Sequence, residues 1–162
     1  MIGDRLEHLL KRLLDEEEFL SDYGIRSLSK CYLDKPYTFG YQGSNYSIQY
    51  EPGESSSSMF GGNSNWRGPI WFPLNYLIIQ ALRKYYEYYG DAYTYEFPAG
   101  SGNKLNLKQI AKHLTKRLLK IFEKMVMKNF SIMQATSSNG PTNILKNITY
   151  FMNFFMGIQA KV

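Results

Sequence analysis

The stretch from Gly61 to Trp71 reads Gly-Gly-Asn-Ser-Asn-Trp-Arg-Gly-Pro-Ile-Trp, and the rest of the chain is best interpreted outward from it. Its glycines permit positive φ angles, its asparagines and serine offer short hydrogen-bonding side chains, and two tryptophans flank an arginine and a Gly-Pro break. This composition predicts a rigid polar loop that leads into a helix. Such a loop suits either a flat, hydroxyl-rich ligand or the closure of a core, and both interpretations remain open at this point.

The segments on either side of the loop predict a helix and a hairpin. The run from Pro69 to Leu82 is apolar nearly all round, which predicts a helix buried on most sides, and proline is tolerated in a first turn. This helix is expected to stop at Gly90. Before the loop, the β-prone runs at 37–41 and 46–50 are separated by a Gly-Ser-Asn turn, which predicts a small β-hairpin inserted in an otherwise helical protein.

Two further segments have the apolar spacing of amphipathic helices. Residues 4–14 place leucines on one side and charged residues on the other, and His8 is expected in solvent. Asn106 is a plausible N-cap for a helix reaching Phe122, with His113 at the edge of its apolar face. The opposite face of this helix is basic, and it is either solvated, which we favour, or in contact with an acidic surface.

The segment from residue 15 to residue 30 lacks helical periodicity and predicts an ordered loop. Its acidic run, Glu16 to Glu18, is expected to be a solvated helix end. Arg26 lies between two serines in sequence and is a candidate to meet an anion or a substrate hydroxyl.

The composition narrows the class of ligand. Aromatic residues make up 16% of the chain and include 14 tyrosines, more than a small core requires. A surplus of tyrosine suits a surface that contacts sugars, although tyrosine also fills the seams between packed helices. Both explanations are retained.

Charge and cysteine content argue against several other functions. The net charge of +5 arises in the tail, because residues 124–162 carry four lysines and no acid, so no basic patch for nucleic acid is expected. Cys31 is the single cysteine, and His8 and His113 lie far apart in sequence, so neither a metal site nor another cofactor is expected. No signal peptide or membrane-spanning run is seen, which predicts no membrane partner and a cytoplasmic location.

Residues 125–162 differ in character from the rest of the chain. They hold five of the seven methionines, no acidic residue and no sustained apolar period. One explanation is a disordered or partner-dependent tail, although the phenylalanines near its end are unusual for that class. The other is a frame shift, because codons for residues 150–162 read out of phase are compatible with Phe-Tyr-Glu-Phe-Phe-His-Gly-Asp-Ser-Gly-Lys-Gly.

Three blocks of the chain resemble the C-terminal part of glycoside hydrolase family 63-like proteins, which include processing α-glucosidase I and mannosylglycerate hydrolases. The blocks are Gly24–Ser29, then Tyr50-Glu51-Pro52 with Glu54-Ser55, and then Met59–Trp71, whose Trp-Arg-Gly-Pro-Ile-Trp run is the most specific. The resemblance covers roughly residues 5–123. It implies an (α/α)6 barrel that hydrolyses α-glycosidic bonds with inversion.

The resemblance also implies which residues do what. Inversion needs two carboxyl groups about 6.5–9.5 Å apart, and the family's acid and base fall upstream of Met1 and in the out-of-phase reading across residues 152–153. No catalytic residue is therefore expected within the chain, and Asp22, Glu51, Glu54 and Glu96 are not nominated as replacements. The residues expected to shape a sugar subsite are Asn63, Asn65, Trp66, Arg67, Gly68 and Trp71. Trp71 fits a core position equally well.

The sequence thus predicts a mainly α chain in two parts. Residues 1–124 are expected to form a fragment of an (α/α)6 barrel with a small hairpin insertion near residues 37–50, and residues 125–162 an aberrant tail. The expected function is that of an inverting α-glycosidase fragment, inactive alone, with a carbohydrate ligand. The alternative is a non-catalytic carbohydrate-binding or helical interaction protein, and the oligomeric state is left undetermined.

Overall fold

The computed structural model describes residues 2–51 and 69–136, and about half of these lie in α-helices. The chain divides into two compact units, Met1–Arg117 and Leu118–Val162. The helices are α1 (Ile2–Leu13), α2 (Phe72–Tyr89) and α3 (Leu107–Thr136). The strands are β1 (Leu20–Ser21), β2 (Gly24–Ile25), β3 (Tyr37–Tyr41), β4 (Ser44–Ile48), β5 (Thr94–Glu96) and β6 (Lys104–Asn106).

The six strands form three separate two-stranded antiparallel sheets, β1–β2, β3–β4 and β5–β6. Two of them replace segments for which the sequence predicts irregular structure. β1–β2 lies in the predicted ordered loop of residues 15–30, and β5–β6 lies in the segment between Asp91 and Lys104 that carries mostly polar residues. Strands of two or three residues leave too short an alternation for a period of two to be recognised.

The predicted hairpin is confirmed at residues 37–48, but its turn is tighter. β3 and β4 pair from Tyr37 with Ile48 to Tyr41 with Ser44, so only Gln42 and Gly43 connect them. Both connecting residues have positive φ, 49° and 80°, as a two-residue hairpin turn requires. The second strand therefore begins two residues earlier than its β-prone side chains indicate.

The first unit has an apolar core to which every helix and the β1–β2 sheet contribute, together with Phe97 directly after β5. The buried side chains are Leu10, Leu14, Leu20, Ile25, Ile79, Leu82, Phe97, Leu107, Ile110, Ala111 and Leu114. The predicted apolar faces of α1 and α3 supply most of them. Leu9 is the exception on α1, since 58% of its surface is exposed.

Helix α2 is less buried than its composition predicts. Asn75, Ile79 and Leu82 are buried on one side, whereas Leu77 is 61% exposed and Tyr88 is 82% exposed on another. The expectation of a helix buried on most sides is therefore wrong for the part of the chain that the structure describes. At the end of the helix, Tyr89 packs against other tyrosines rather than against a ligand, with ring centroids 4.8 Å from Tyr88 and 4.7 Å from Tyr93.

Helix α3 begins at the predicted cap. The Asn106 side chain accepts a hydrogen bond from the Gln109 amide at 2.8 Å, and the Gln109 side chain accepts one from the Asn106 amide at 2.9 Å. This reciprocal pair satisfies two backbone donors that the helix leaves open. The helix continues to Thr136, well beyond the end predicted near Phe122.

Candidate functional site

The first and third of the family-like blocks meet where β2 approaches the start of α2. The Ser27 amide donates a hydrogen bond to the Pro69 carbonyl at 2.9 Å. Pro69, Ile70 and Trp71 are the described residues of the Gly61–Trp71 stretch, and this bond holds their backbone against the Gly24–Ser29 block. Segments more than 40 residues apart in sequence are thus joined.

Asn75 links the same two blocks through its side chain. Its Oδ1 accepts a hydrogen bond from the Ile25 amide at 2.7 Å, and its Nδ2 donates to the Ile25 carbonyl at 2.9 Å. Nδ2 also donates to the Trp71 carbonyl at 3.0 Å. Because only 1% of Asn75 is exposed, its amide takes the place that a neighbouring strand would occupy beside Ile25.

Arg26 brings the second block to this junction. Its guanidinium carbon lies 5.8 Å from the centre of the Tyr50 ring, a cation–π distance, and the Tyr50 amide donates to the Tyr32 carbonyl at 3.2 Å. The three family-like blocks therefore converge, and we name this convergence the block junction, defined by Ile25, Arg26, Tyr50, Pro69 and Trp71.

Arg26 itself is used within the chain. Nη1 donates to the carbonyls of Glu16 at 2.9 Å and Glu18 at 3.1 Å, and also to that of Leu20. Its Nε is buried without a hydrogen-bond partner among the described residues. These bonds mean that the Arg26 side chain fixes the loop that leads into β1, and its contact with an anion or a substrate hydroxyl stays a prediction.

Trp71 is the one predicted subsite residue that the structure describes. It is partly buried and stands immediately before α2, with φ −82° and ψ 107°, and its carbonyl accepts the first helical hydrogen bond from the Asn75 amide at 3.1 Å. The Trp71 carbonyl therefore accepts hydrogen bonds from both the main-chain amide and the side chain of Asn75. The other predicted subsite residues, Asn63, Asn65, Trp66, Arg67 and Gly68, lie outside the described residues.

Each glutamate of the acidic run at residues 16–18 forms an ion pair, while the side chains of Glu16 and Glu17 remain 52% and 78% exposed. Glu16 pairs with Arg117 at 3.0 Å, Glu17 with Lys30 at 2.9 Å and Glu18 with Arg12 at 2.7 Å. Each partner belongs to a different element of the first unit. The three carboxylates thus connect residues 16–18 to different elements of the first unit.

Arg117 departs from the prediction of a solvated basic face on α3. The lysines at 108, 112, 116 and 120 are exposed as expected, but the Arg117 side chain is only 15% exposed. Its Nη1 donates to the Ser21 carbonyl at 2.7 Å, and its guanidinium lies 5.3 Å from the centre of the Phe97 ring. An arginine at the boundary between the apolar and basic faces is long enough to reach groups beyond its own helix. The spacing of residues along the helix does not reveal such a contact.

Two other acidic residues considered in the sequence, Asp22 and Glu96, have different surroundings. Asp22 is exposed, and Glu96 accepts a hydrogen bond from the Gly100 amide at 2.8 Å. Within the described ranges, no group of three or more His, Cys, Asp or Glu side chains could hold a metal ion. Nor does any helix in those ranges have the length and apolar character needed to cross a membrane.

Comparison with known proteins gives the family. The glycosyl hydrolase family 63 C-terminal domain matches residues 2–131. The uncharacterized protein YMR196W of Saccharomyces cerevisiae is 54% identical over 119 residues, which are 74% of this chain and 11% of that protein. No solved structure matched the chain significantly.

Two relatives carry names that state an activity. The probable mannosyl-oligosaccharide glucosidase of Schizosaccharomyces pombe is 42% identical over 83 residues, and the mannosyl-oligosaccharide glucosidase of Saccharomyces cerevisiae is 32% identical over 83 residues. Each alignment covers 51% of this chain and 7% of the relative. The chain therefore spans about a tenth or less of the length of these curated relatives. Since the family domain matches most of its residues, the chain belongs to glycosyl hydrolase family 63.

Proposed function

We propose that this chain forms part of the catalytic domain of an inverting α-glycosidase and supplies one wall of its sugar subsite. The observation that carries the proposal is the block junction, where three segments distant in sequence are tied together by Ser27, Asn75 and Arg26. Fixing the backbone of Trp71 in this way favours a role in ligand binding, because less backbone freedom is then lost when its side chain meets a sugar.

The proposed architecture is an incomplete (α/α)6 barrel with the β3–β4 hairpin as an insertion. Support comes from the exposed apolar side chains along α2, namely Leu74, Leu77, Tyr85 and Tyr88, spaced as one helical stripe. A barrel helix packs on both an inner and an outer neighbour, so a stripe of this kind is what a helix with a missing neighbour leaves exposed.

The chemistry of the proposed enzyme requires carboxyl groups that this chain does not provide. One must donate a proton to the leaving oxygen while the other activates water from the opposite face of the sugar. The side chains of glutamates 16–18 are already engaged in ion pairs with Arg117, Lys30 and Arg12. In this proposal the acid and base come from segments outside residues 1–124. Residues 125–162 are an aberrant, frame-shifted or disordered tail, except that helix α3 continues through its first part to Thr136.

Hydrolysis assays test the inactivity of the chain. The purified 162-residue chain should release no nitrophenol from p-nitrophenyl α-glucoside or α-mannoside above a buffer control. Turnover that follows the folded chain through purification would show that it contains its own pair of carboxyl groups, and this part of the proposal would then be wrong.

Sugar binding tests the subsite. In titration calorimetry with glucose and mannose, Trp71→Ala and Trp66→Ala should each weaken binding, because stacking on an aromatic face supplies much of the affinity for a sugar ring. Tyr88→Ala is the matched control, since Tyr88 is an exposed aromatic on the same helix that lies outside the block junction. Equal losses for Tyr88 and Trp71 would contradict a defined subsite.

Sequencing tests the origin of the tail. If the bases after the codon for Lys124 encode the glutamate-containing string in a neighbouring frame, the frame shift is supported. A natural stop with no hydrolase-like sequence in any frame would refute it.

The second candidate function is a non-catalytic carbohydrate-binding or helical interaction protein. The exposed stripe on α2 favours it, because an apolar helix face can bind another helix without any chemistry. Sugar binding without turnover, together with a natural stop after Val162, would favour this candidate over the hydrolase fragment.

A further inference from the structure

The β3–β4 hairpin is largely exposed and consists of two strands. In the part of the chain that the structure describes, β3 and β4 pair with each other and with no third strand, so each has one open edge. A two-stranded hairpin by itself is at best marginally stable in water, whereas three or more strands with an apolar face are stable. Addition of further strands would therefore stabilise this hairpin.

The open edge of β3 presents the backbone groups of Thr38 and Gly40. A two-residue turn closes on a hydrogen-bonded pair, here Tyr41 with Ser44, and along the strands such pairs alternate with pairs that are not hydrogen-bonded. The backbone of Phe39 consequently bonds inward to β4. The amides and carbonyls of Thr38 and Gly40 point outward, where another strand can pair with them.

This edge lacks the features that keep edge strands apart. Charged side chains, prolines and bulges on an edge strand prevent its pairing with another chain. Residues 37–48 contain no charged residue and no proline, and the pairing of the two strands has no bulge. Although the whole chain has a net charge of +5, two copies of this segment can therefore meet without repulsion between the paired strands.

The side chains of β3 are placed so that the strand complements itself. It reads Tyr-Thr-Phe-Gly-Tyr, with an aromatic residue at each end and at the centre. When a second β3 runs antiparallel about Phe39, the two phenylalanines lie opposite each other, and each Tyr37 lies opposite Tyr41 of the other copy. Thr38 then lies opposite Gly40 of the other copy, and the outward backbone groups of both residues are paired.

The outer edge of β4 does not have this property. Its sequence, Ser-Asn-Tyr-Ser-Ile, places a serine opposite an isoleucine when it is paired with itself about its centre, and its tyrosine and isoleucine are already half-buried. In β3 the aromatic side chains remain exposed, at 52% for Tyr37, 39% for Phe39 and 61% for Tyr41. Pairing through β3 therefore buries more aromatic surface, which favours association.

We propose that two copies of this chain associate through the outer edges of their β3 strands, antiparallel about Phe39, and form one four-stranded sheet. Phe39 stacks on Tyr46 with ring centroids 5.3 Å apart, so the aromatic face continues across the two-fold axis from one copy to the other. Two five-residue strands form a small interface, with less than about 1,200 Å² of buried surface, and the dimer is accordingly weak. This assembly does not depend on the chain being part of a glycosidase.

Sedimentation velocity of the 162-residue chain over about 1–200 µM tests the dimer. We expect a monomer–dimer equilibrium with a Kd on the order of 10–100 µM. Thr38→Pro removes an outward amide, and Thr38→Lys places a charge on the edge, so each should raise the Kd at least about tenfold. Ser47→Pro and Ser47→Lys are the matched controls and should change it less than about twofold, because Ser47 is the exposed cross-strand partner of Thr38 and its amide faces the other edge.

Disulfide cross-linking tests the register. In a Cys31→Ser background, Phe39→Cys should form an intermolecular disulfide under mild oxidation, because the two residues at position 39 face each other. Tyr41→Cys should not, because its counterpart in the other copy lies four residues further along the strand, about 13 Å away.

Three results would overturn the proposal. One is a chain that stays monomeric over the whole concentration range, which would leave the β3 edge to a different partner. Another is a dimer that the Thr38 substitutions leave intact or weaken no more than the Ser47 substitutions do. The third is cross-linking of Tyr41→Cys as readily as Phe39→Cys.

Discussion

Replacement of Asn75 by leucine removes three side-chain hydrogen bonds, two of which join β2 to the start of α2. Leucine has a similar volume, so the change deletes polar partners without leaving a large cavity. The Trp71 carbonyl keeps its helical hydrogen bond from the residue 75 amide, but the Ile25 amide and carbonyl lose the partner that they have at 2.7 and 2.9 Å. At about 1–3 kcal/mol for each orphaned buried group, the unfolding free energy should fall by roughly 3 kcal/mol.

Urea denaturation followed by circular dichroism measures this loss. For a chain of this size the midpoint should fall by roughly 1–3 M at an unchanged slope. Hydrogen exchange gives a local reading, because the Ile25 amide should lose protection before the rest of the core does. Gln80→Leu, on the same helix and only partly buried, is the control and should change stability by less than about 0.5 kcal/mol.

Two results would refute the reasoning. One is an Ile25 amide that exchanges as slowly in Asn75→Leu as in the wild type. The other is a loss of stability no greater than that of Gln80→Leu. Either would mean that the Asn75 amide is not the group that satisfies Ile25.

Three other perturbations follow from the same structure. Asn106→Ala should cost about 1 kcal/mol and lower helical ellipticity, since the α3 cap and the hydrogen bond to Asp91 are lost. Asn106→Ser should retain most of the helicity, because a serine hydroxyl can cap the helix without placing a carboxylate against Asp91. Arg117→Met should cost about 2 kcal/mol in thermal or urea unfolding by orphaning the Ser21 carbonyl, against less than about 0.5 kcal/mol for exposed Lys116→Met. The pKa of His113 is lowered in the folded chain, mainly by burial and then by the charges of Lys116, Arg117 and Lys112. The histidine therefore binds a proton more readily in the unfolded chain than in the folded one. The unfolding free energy should therefore fall as pH drops through about 6.5, and a His113→Gln variant should show a shallower fall.

Much of the local structure follows from periodicity and cap chemistry. The apolar faces of α1 and α3, the cap at Asn106 and the hairpin at 37–48 were all predictable because each depends on residues close together in sequence. The family was predictable for a different reason, since its blocks are specific strings. The exposed side of α2 was not, because burial depends on neighbours that a single segment does not reveal.

The residues that assemble the block junction could not be found in this way. Asn75 is a lone polar residue inside an apolar run, four residues after Trp71, and that position is the one signal the sequence offers. Its partner Ile25 lies 50 residues away. Likewise, the pairing of Glu16 with Arg117 joins residues 101 apart, and no short-range pattern selects one arginine over its basic neighbours. The backbone of Trp71 is fixed at the junction, while the sugar-binding roles of all six predicted subsite residues stay predictions.

The β3–β4 hairpin derives its order from its own side chains. Phe39 stacks between Tyr37 and Tyr46, with ring centroids 6.0 and 5.3 Å apart, while both strands remain largely exposed. The two residues at its tip, Gln42 and Gly43, are exposed and far from the buried core. A foreign peptide spliced between them would lengthen a solvent-facing loop at little entropic cost, so an epitope or fluorescent label can be displayed there without disturbing the rest of the first unit.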